Sequence, residues 1–122
     1  MRYAPNGNYI LVSTLDHQMN LYPVYAKAPK YGAGALKVFT GHVNSRFNLQ
    51  STIFTVTGGP NYIVQGSEDN LVYIWDAANQ TVLQTLEGHS DVPLAVACNP
   101  SEEMMQFASA GRDGYVKLWE LC

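Results

Sequence analysis

The chain has 122 residues, 47% of them hydrophobic and 14% charged, a balance that suits a folded domain with an apolar core and lies far from the disordered class. Ten acidic against seven basic side chains give a net charge of −3, so no broad positive field is available to gather nucleic acid or anionic lipid. The longest apolar runs, Ile10 to Val12 and Val92 to Cys98, have strand length and fall far short of the roughly 20 residues that cross a bilayer. Residues Met1 to Gly7 put a turn where a secretion signal needs its hydrophobic region, so export is not expected, and Cys98 and Cys122 are expected as reduced thiols.

Along the chain, Asn8 to Tyr22 reads as a strand, a tight turn at Asp16 and a second strand. His17 follows that turn Asp without a partner motif and is expected as a solvated turn residue. Pro23 to Ala35, with Pro29, Gly32 and Gly34, reads as an irregular surface connection. Leu36 to Phe39 is a short strand that ends in Gly41-His42. Phe54 and Val56 alternate onto one face of the next strand. Asn61 to Asp76 repeats the strand, Asp turn and strand, now with Asp69, and Val82 to Leu86 leads into Gly88-His89. After the apolar run to Cys98, Met104-Met105 reads as core filling or a loop edge, and Gln106 to Glu120 forms a third hairpin around Asp113. The turn Asp residues stand 53 and then 44 positions apart, and the two Gly-His pairs 47 apart. A chain that repeats a unit at such a period is read as a repeat architecture before anything else.

Gly-His, then an Asp turn, then Trp-Asp at a period in the forties resembles the WD-repeat family of β-propellers. Gly41-His42, Asp69 and Trp75-Asp76 carry one nearly complete signature; Gly88-His89, Asp113 and Trp119-Glu120 carry a second; the first unit has Tyr22-Pro23 where Trp-Asp is expected. The resemblance covers nearly the whole chain. It implies an all-β fold of about three four-stranded blades of a larger, seven-bladed ring: blade 1 about 1–40, blade 2 about 48–87, and blade 3 about 92–122 without its outer strand. Because the pattern opens inside a strand rather than with a cap, the chain is expected to be the C-terminal piece of a longer propeller, with closure by other copies as the alternative.

Ser109, His89 and Asp113 invite a catalytic-triad reading. A nucleophile needs one site, however, whereas Gly-His recurs with the repeat, so a role that every blade needs is preferred and no catalytic residue is expected. The resemblance implies that role: the turn Asp accepts from the His, the His meets a strand hydroxyl, and the hydroxyl meets the Trp indole. The residues concerned are His42, Asp69 and Trp75 in the middle unit and His89, Ser109, Asp113 and Trp119 in the last. Gln65 stands where the middle unit needs a hydroxyl, so that network is expected to be incomplete or rewired. No Cys and His pair has metal-ligand spacing, and neither a metal nor a cofactor is expected.

Val56-Thr57-Gly58-Gly59, Tyr62-Ile63-Val64 and Gly66 to Trp75 closely resemble the C-terminal part of the WD-repeat scaffold subunit of SET/MLL-type histone methyltransferase complexes, as does Pro5 to Leu11 with Thr14-Leu15-Asp16. The resemblance implies a non-enzymatic nuclear scaffold, with the cytoplasm as the alternative compartment. It implies as partners a SET-domain methyltransferase subunit, a companion scaffold subunit and histone or transcription-factor peptides, with no direct contact to nucleic acid or membrane. A generic WD-repeat adaptor in a ubiquitin ligase or an RNA-processing assembly is the alternative. In that family a groove between blades binds acidic and apolar peptide segments, and the matching positions are Asn6, Tyr9, Leu21, Lys37, Phe54 and Val56. The mouth of the central channel sandwiches a partner's arginine between rings. This sequence departs there, with Ser51 and Asn48 where a ring and a neighbouring Tyr are expected and Leu94 left as an apolar wall, which counts against arginine capture.

Overall fold

β-Branched and aromatic residues alternating with polar ones, and broken by Asp turns, produce eleven strands among the described residues. A computed structural model describes residues 2–3, 9–23, 37–55, 61–99 and 106–120, with Tyr3, Phe54 and Thr55 described in their backbone only. The first sheet holds β1 (Arg2–Tyr3), β2 (Tyr9–Thr14), β3 (Gln18–Pro23) and β4 (Lys37–Phe39). The second holds β5 (Ser51–Thr55), β6 (Asn61–Gly66), β7 (Val72–Asp76) and β8 (Thr81–Leu86). The third holds β9 (Pro93–Cys98), β10 (Gln106–Gly111) and β11 (Val116–Glu120). Each sheet runs antiparallel in chain order, as expected for part of an all-β propeller. Residues 24–36 and Met104-Met105 lie outside the described residues.

The second sheet is covered on both faces. Ile53, Ile63, Tyr73 and Trp75 pack against Leu11, Met19 and Phe39 of the first sheet. On the other face, Val64, Val72 and Ile74 pack against Val96 and Phe107 of the third. That double cover is why four consecutive residues of β6, Ile63 to Gly66, and four of β7, Val72 to Trp75, are buried, where a half-buried strand would alternate. Gly66 sits at the closest approach of two sheets, since a Cβ there would lie 1.9 Å from the Pro93 carbonyl oxygen. In β11, Lys117 and Trp119 point toward the second sheet while Val116, Leu118 and Glu120 stay exposed.

The three hairpin turns share one backbone device. The residue after each turn Asp takes the left-handed conformation: His17 at φ 64°, Asn70 at 72° and Gly114 at 83°. Glycine adopts that region without cost and Asn with little, whereas an imidazole side chain there is unusual.

Candidate functional site

In the last unit the polar residues form one chain of hydrogen bonds between strands. Trp119 Nε1 donates to Ser109 Oγ at 2.8 Å. The Asp113 carboxylate only accepts, which assigns a proton to His89 Nδ1 at 3.0 Å; the Nε2 of the neutral ring then accepts from the Ser109 hydroxyl at 2.7 Å. Asp113 also accepts the amides of Ser90 and Tyr115 at 3.0 and 3.1 Å. Burial opposes the Asp113 charge, but the Tyr115 and Ser90 amides and the His89 ring outweigh it and hold the carboxyl below its ordinary value. The contacts follow the order of an acyl-transfer triad. Ser109 is only 1% exposed, however, and its Oγ is occupied by the indole, so the hydroxyl has no open approach to a substrate.

The middle unit is rewired. His42 is 4% exposed, and neither of its ring nitrogens has a hydrogen-bond partner among the described residues. Trp75 Nε1 donates to the Thr40 carbonyl at 2.9 Å instead, and Asp69 accepts the Tyr73 hydroxyl at 2.6 Å and the Leu71 amide at 3.2 Å. The chain of bonds implied for His42, Asp69 and Trp75 is therefore replaced by packing: the imidazole stands edge-on to Trp75 at 5.1 Å and to Tyr73 at 6.4 Å between ring centroids. The cause is in two side chains. Gln65 fills the hydroxyl position with both amide atoms unpaired among the described residues, and Tyr73, at the register position of Lys117, reaches the turn carboxylate. Burial, helped by His17 and only partly offset by Asp69 and Glu68, lowers the His42 pKa below 6.5. Burial and the bond to Asp69 push Tyr73 up to about 12.

The groove positions are partly in view. Leu21 and Lys37 are register partners on β3 and β4 and face the second sheet, where Leu21 packs on the intersheet core. Tyr9 begins β2, half-buried. Lys37 Nζ donates to the carbonyls of Ala77 at 2.7 Å and Ala78 at 3.3 Å, and Gln80 Nε2 donates to the Val38 carbonyl at 3.0 Å. The ammonium of this groove position thus already ties the first sheet to the β7–β8 turn. Asn6 and Val56 lie outside the described residues, and Phe54 is described in its backbone only.

At the opposite end of the strands, Asn48 is exposed, Ser51 is buried under the Arg2 guanidinium, whose Nε donates to the Ser51 carbonyl at 3.1 Å, and Leu94 is half-buried with its carbonyl taken by the Gln50 amide. The same end holds features that sequence reading missed. Glu68 Oε2 accepts three consecutive amides, Ser45, Arg46 and Phe47, at 2.8, 2.8 and 3.1 Å. The Asn44 amide completes this cradle, its oxygen accepting from Ser13 Oγ and its nitrogen donating to Glu68 Oε2 at 3.1 Å and the Phe47 carbonyl at 2.9 Å. Burial raises the Glu68 pKa, and the amides of Arg46, Phe47 and Ser45 more than reverse that. His17 is an exposed turn residue, as expected, but it has a partner that the sequence did not show: its Nδ1 accepts the Asn44 backbone amide at 2.8 Å and its own backbone amide donates to the Asn44 carbonyl at 3.0 Å, which ties the β2–β3 turn to the β4–β5 connection. Over the loop so fixed, the guanidinium of Arg112 lies 4.8 Å and that of Arg46 5.6 Å from the Phe47 ring centroid. Only the run Arg46-Phe47 was visible as a signal, and Arg112 reaches it from 65 residues further on. Among the described residues, no three His, Cys, Asp or Glu side chains converge as a metal would need.

Comparison with known proteins agrees with this geometry. The family described as "WD domain, G-beta repeat" matches residues 34–76 and 80–120. WD repeat-containing protein 26 homolog of Arabidopsis thaliana is 32% identical over 118 residues, 95% of this chain and 18% of that protein. WD repeat-containing protein WDS homolog of the same plant is 37% identical over 83 residues, 66% of this chain and 15% of that protein. GID complex subunit 7 of Schizosaccharomyces pombe is 35% identical over 86 residues, 69% of this chain and 16% of that protein. The chain thus spans less than a fifth of the length of each of these relatives.

Proposed function

The chain belongs to the WD-repeat family, and from that premise we propose that it serves as part of a non-enzymatic adaptor that holds protein partners together. One observation carries this reading. The side chains best suited to chemistry, His89, Ser109 and Asp113, are joined to one another and to Trp119 inside the fold, which leaves loops from several units as the outward-facing groups. A relative named as a subunit of a complex supports the same reading. Affinity capture of the full-length protein followed by mass spectrometry tests it: reproducible, stoichiometric protein partners are expected, and their absence sinks the adaptor. His89→Ala separates it from a hydrolase, since the adaptor predicts a lower melting temperature, whereas turnover lost from an intact fold would favour catalysis.

Within this reading, a scaffold of a nuclear SET-type histone methyltransferase complex is the finer proposal, supported by the resemblance of the sequence from Val56 to Trp75. A SET-domain subunit among the captured partners is its expected outcome. Capture of ubiquitin-ligase or RNA-processing subunits alone would assign the adaptor to another assembly.

A further inference from the structure

We propose that His17 is a proton-operated latch at the loop end: with its ring neutral it pins the β4–β5 connection to the β2–β3 turn, and protonation at Nδ1 lets that connection go. This goes beyond the adaptor reading and does not depend on which partners are held. Two bonds join the same pair of residues. The Asn44 amide donates to His17 Nδ1 at 2.8 Å, and the His17 amide donates to the Asn44 carbonyl at 3.0 Å. A backbone N–H only donates, so the first bond requires Nδ1 to keep its lone pair and places the ring proton on Nε2. Uptake of a second proton from solvent converts Nδ1 into a donor that faces another donor. The bond is then lost, and the amide of Asn44, a residue only 1% exposed, is left without that acceptor.

Asn44 carries the change onward. Its side chain spans both sheets: the oxygen accepts from Ser13 Oγ of β2 at 2.9 Å, and the nitrogen donates to Glu68 Oε2 at 3.1 Å and to the Phe47 carbonyl at 2.9 Å. Glu68 in turn holds the amides of Ser45, Arg46 and Phe47. Release at His17 thus loosens residues 43–47, while the Ser13 bond and the apolar core between the two sheets do not titrate and keep the sheets together. The other two hairpin turns lack the device, since Asn70 and Gly114 stand where His17 does and neither changes charge. Charges of both signs surround the joint, so the polarity of the bond carries the argument and not the field. Asp16 on the same turn and Glu68 and Asp69 on the β6–β7 turn are negative; Arg46 on the connection and Arg112, over the Phe47 ring, are positive. His42 is 4% exposed and burial holds it neutral, which leaves the exposed His17 as the imidazole that meets solvent protons here.

Hydrogen exchange of the full-length protein tests this, read by mass spectrometry as protection relative to the free-peptide rate at each pH, from about pH 8 to about pH 5. Peptides covering residues 15–18 and 43–47 are expected to lose protection about ten-fold in acid, the size of one hydrogen bond, while those of β9 to β11 keep theirs. His17→Asn is the decisive variant. Its amide oxygen reaches the place of Nδ1 and accepts the same N–H, it tolerates the left-handed backbone as Asn70 does, and it takes up no proton. Protection over residues 43–47 should then show no step with pH. His42→Leu should keep the step, which separates the latch from the buried imidazole. Protection that stays constant with pH in the unaltered protein, a step that survives in His17→Asn, or a step that vanishes in His42→Leu overturns the proposal.

Discussion

Ser109 and Gln65 occupy matching places in neighbouring units and create opposite conditions around two buried imidazoles. Ser109 Oγ both accepts from Trp119 and donates to His89, so its loss leaves two buried polar groups without partners. Ser109→Ala is expected to cost about 2 kcal/mol in urea unfolding, the penalty of orphaned buried groups rather than of one average hydrogen bond. Gln65→Leu should do the reverse, stabilising by about 1 kcal/mol, because it replaces two unpaired buried amide atoms with apolar surface of similar volume. Destabilisation by Gln65→Leu would mean that the amide is satisfied in solution. The same contrast sets a pH dependence. The folded chain holds His42 neutral because burial and the nearby His17 outweigh Asp69 and Glu68. The unfolded chain takes up a proton as pH falls through 6.5, the ordinary His value, and the folded chain resists it. Stability is therefore complete above that value and declines below it. A urea midpoint that drops between neutral and mildly acidic pH, and drops less in His42→Leu, is the expected result; identical slopes in the two proteins would remove His42 as the cause.

At the scale of turns and strands, three left-handed residues sit after three turn Asp residues, yet they are not equivalent. Asn70→Gly should leave stability within a few tenths of a kcal/mol, since Asn already tolerates the region. His17→Gly relieves about 1 kcal/mol of backbone cost but strands the amide of the buried Asn44, a penalty of about 1–3 kcal/mol, so net destabilisation is expected by thermal melting. Gly66→Ala should be worse still, by about 3 kcal/mol or more, because its Cβ meets backbone 1.9 Å away and one of two packed sheets must shift. These elements also mark where sequence reading stops. The hairpins, their Asp turns and the missing hydroxyl at Gln65 were legible because each is local, expressed as alternation and turn chemistry within a few residues. The bond from Tyr73 to Asp69 was missed although the two lie four residues apart, since only the strand register shows that Tyr73 replaces Lys117. His17 with Asn44, Lys37 with the Ala77 carbonyl, and Arg112 with Phe47 join positions tens of residues apart across sheet boundaries, and no periodicity encodes them.

Across the whole molecule, the second sheet is the shared wall of two cores that do not mix: Leu11, Met19 and Phe39 touch one face, and Val96 and Phe107 the other. In repeat architectures each unit draws its stability from its neighbours, so damage at one interface should weaken the sheets that form it and spare the next. Met19→Val, about 1–2 kcal/mol destabilising as a fully buried truncation, offers a clean probe, because Met19 is in the first sheet and, among the described residues, packs in the cluster shared with the second. Native-state hydrogen exchange of the full-length protein should show faster opening at the amides of β2, β3 and β7. Those of β9, β10 and β11 should keep their protection. Equal acceleration in all three sheets would instead mean that they open as one cooperative body. In that case the bonds crossing the sheet boundaries at the loop end, from His17 to Asn44 and from Gln50 to Leu94, would couple the units more strongly than their apolar faces do.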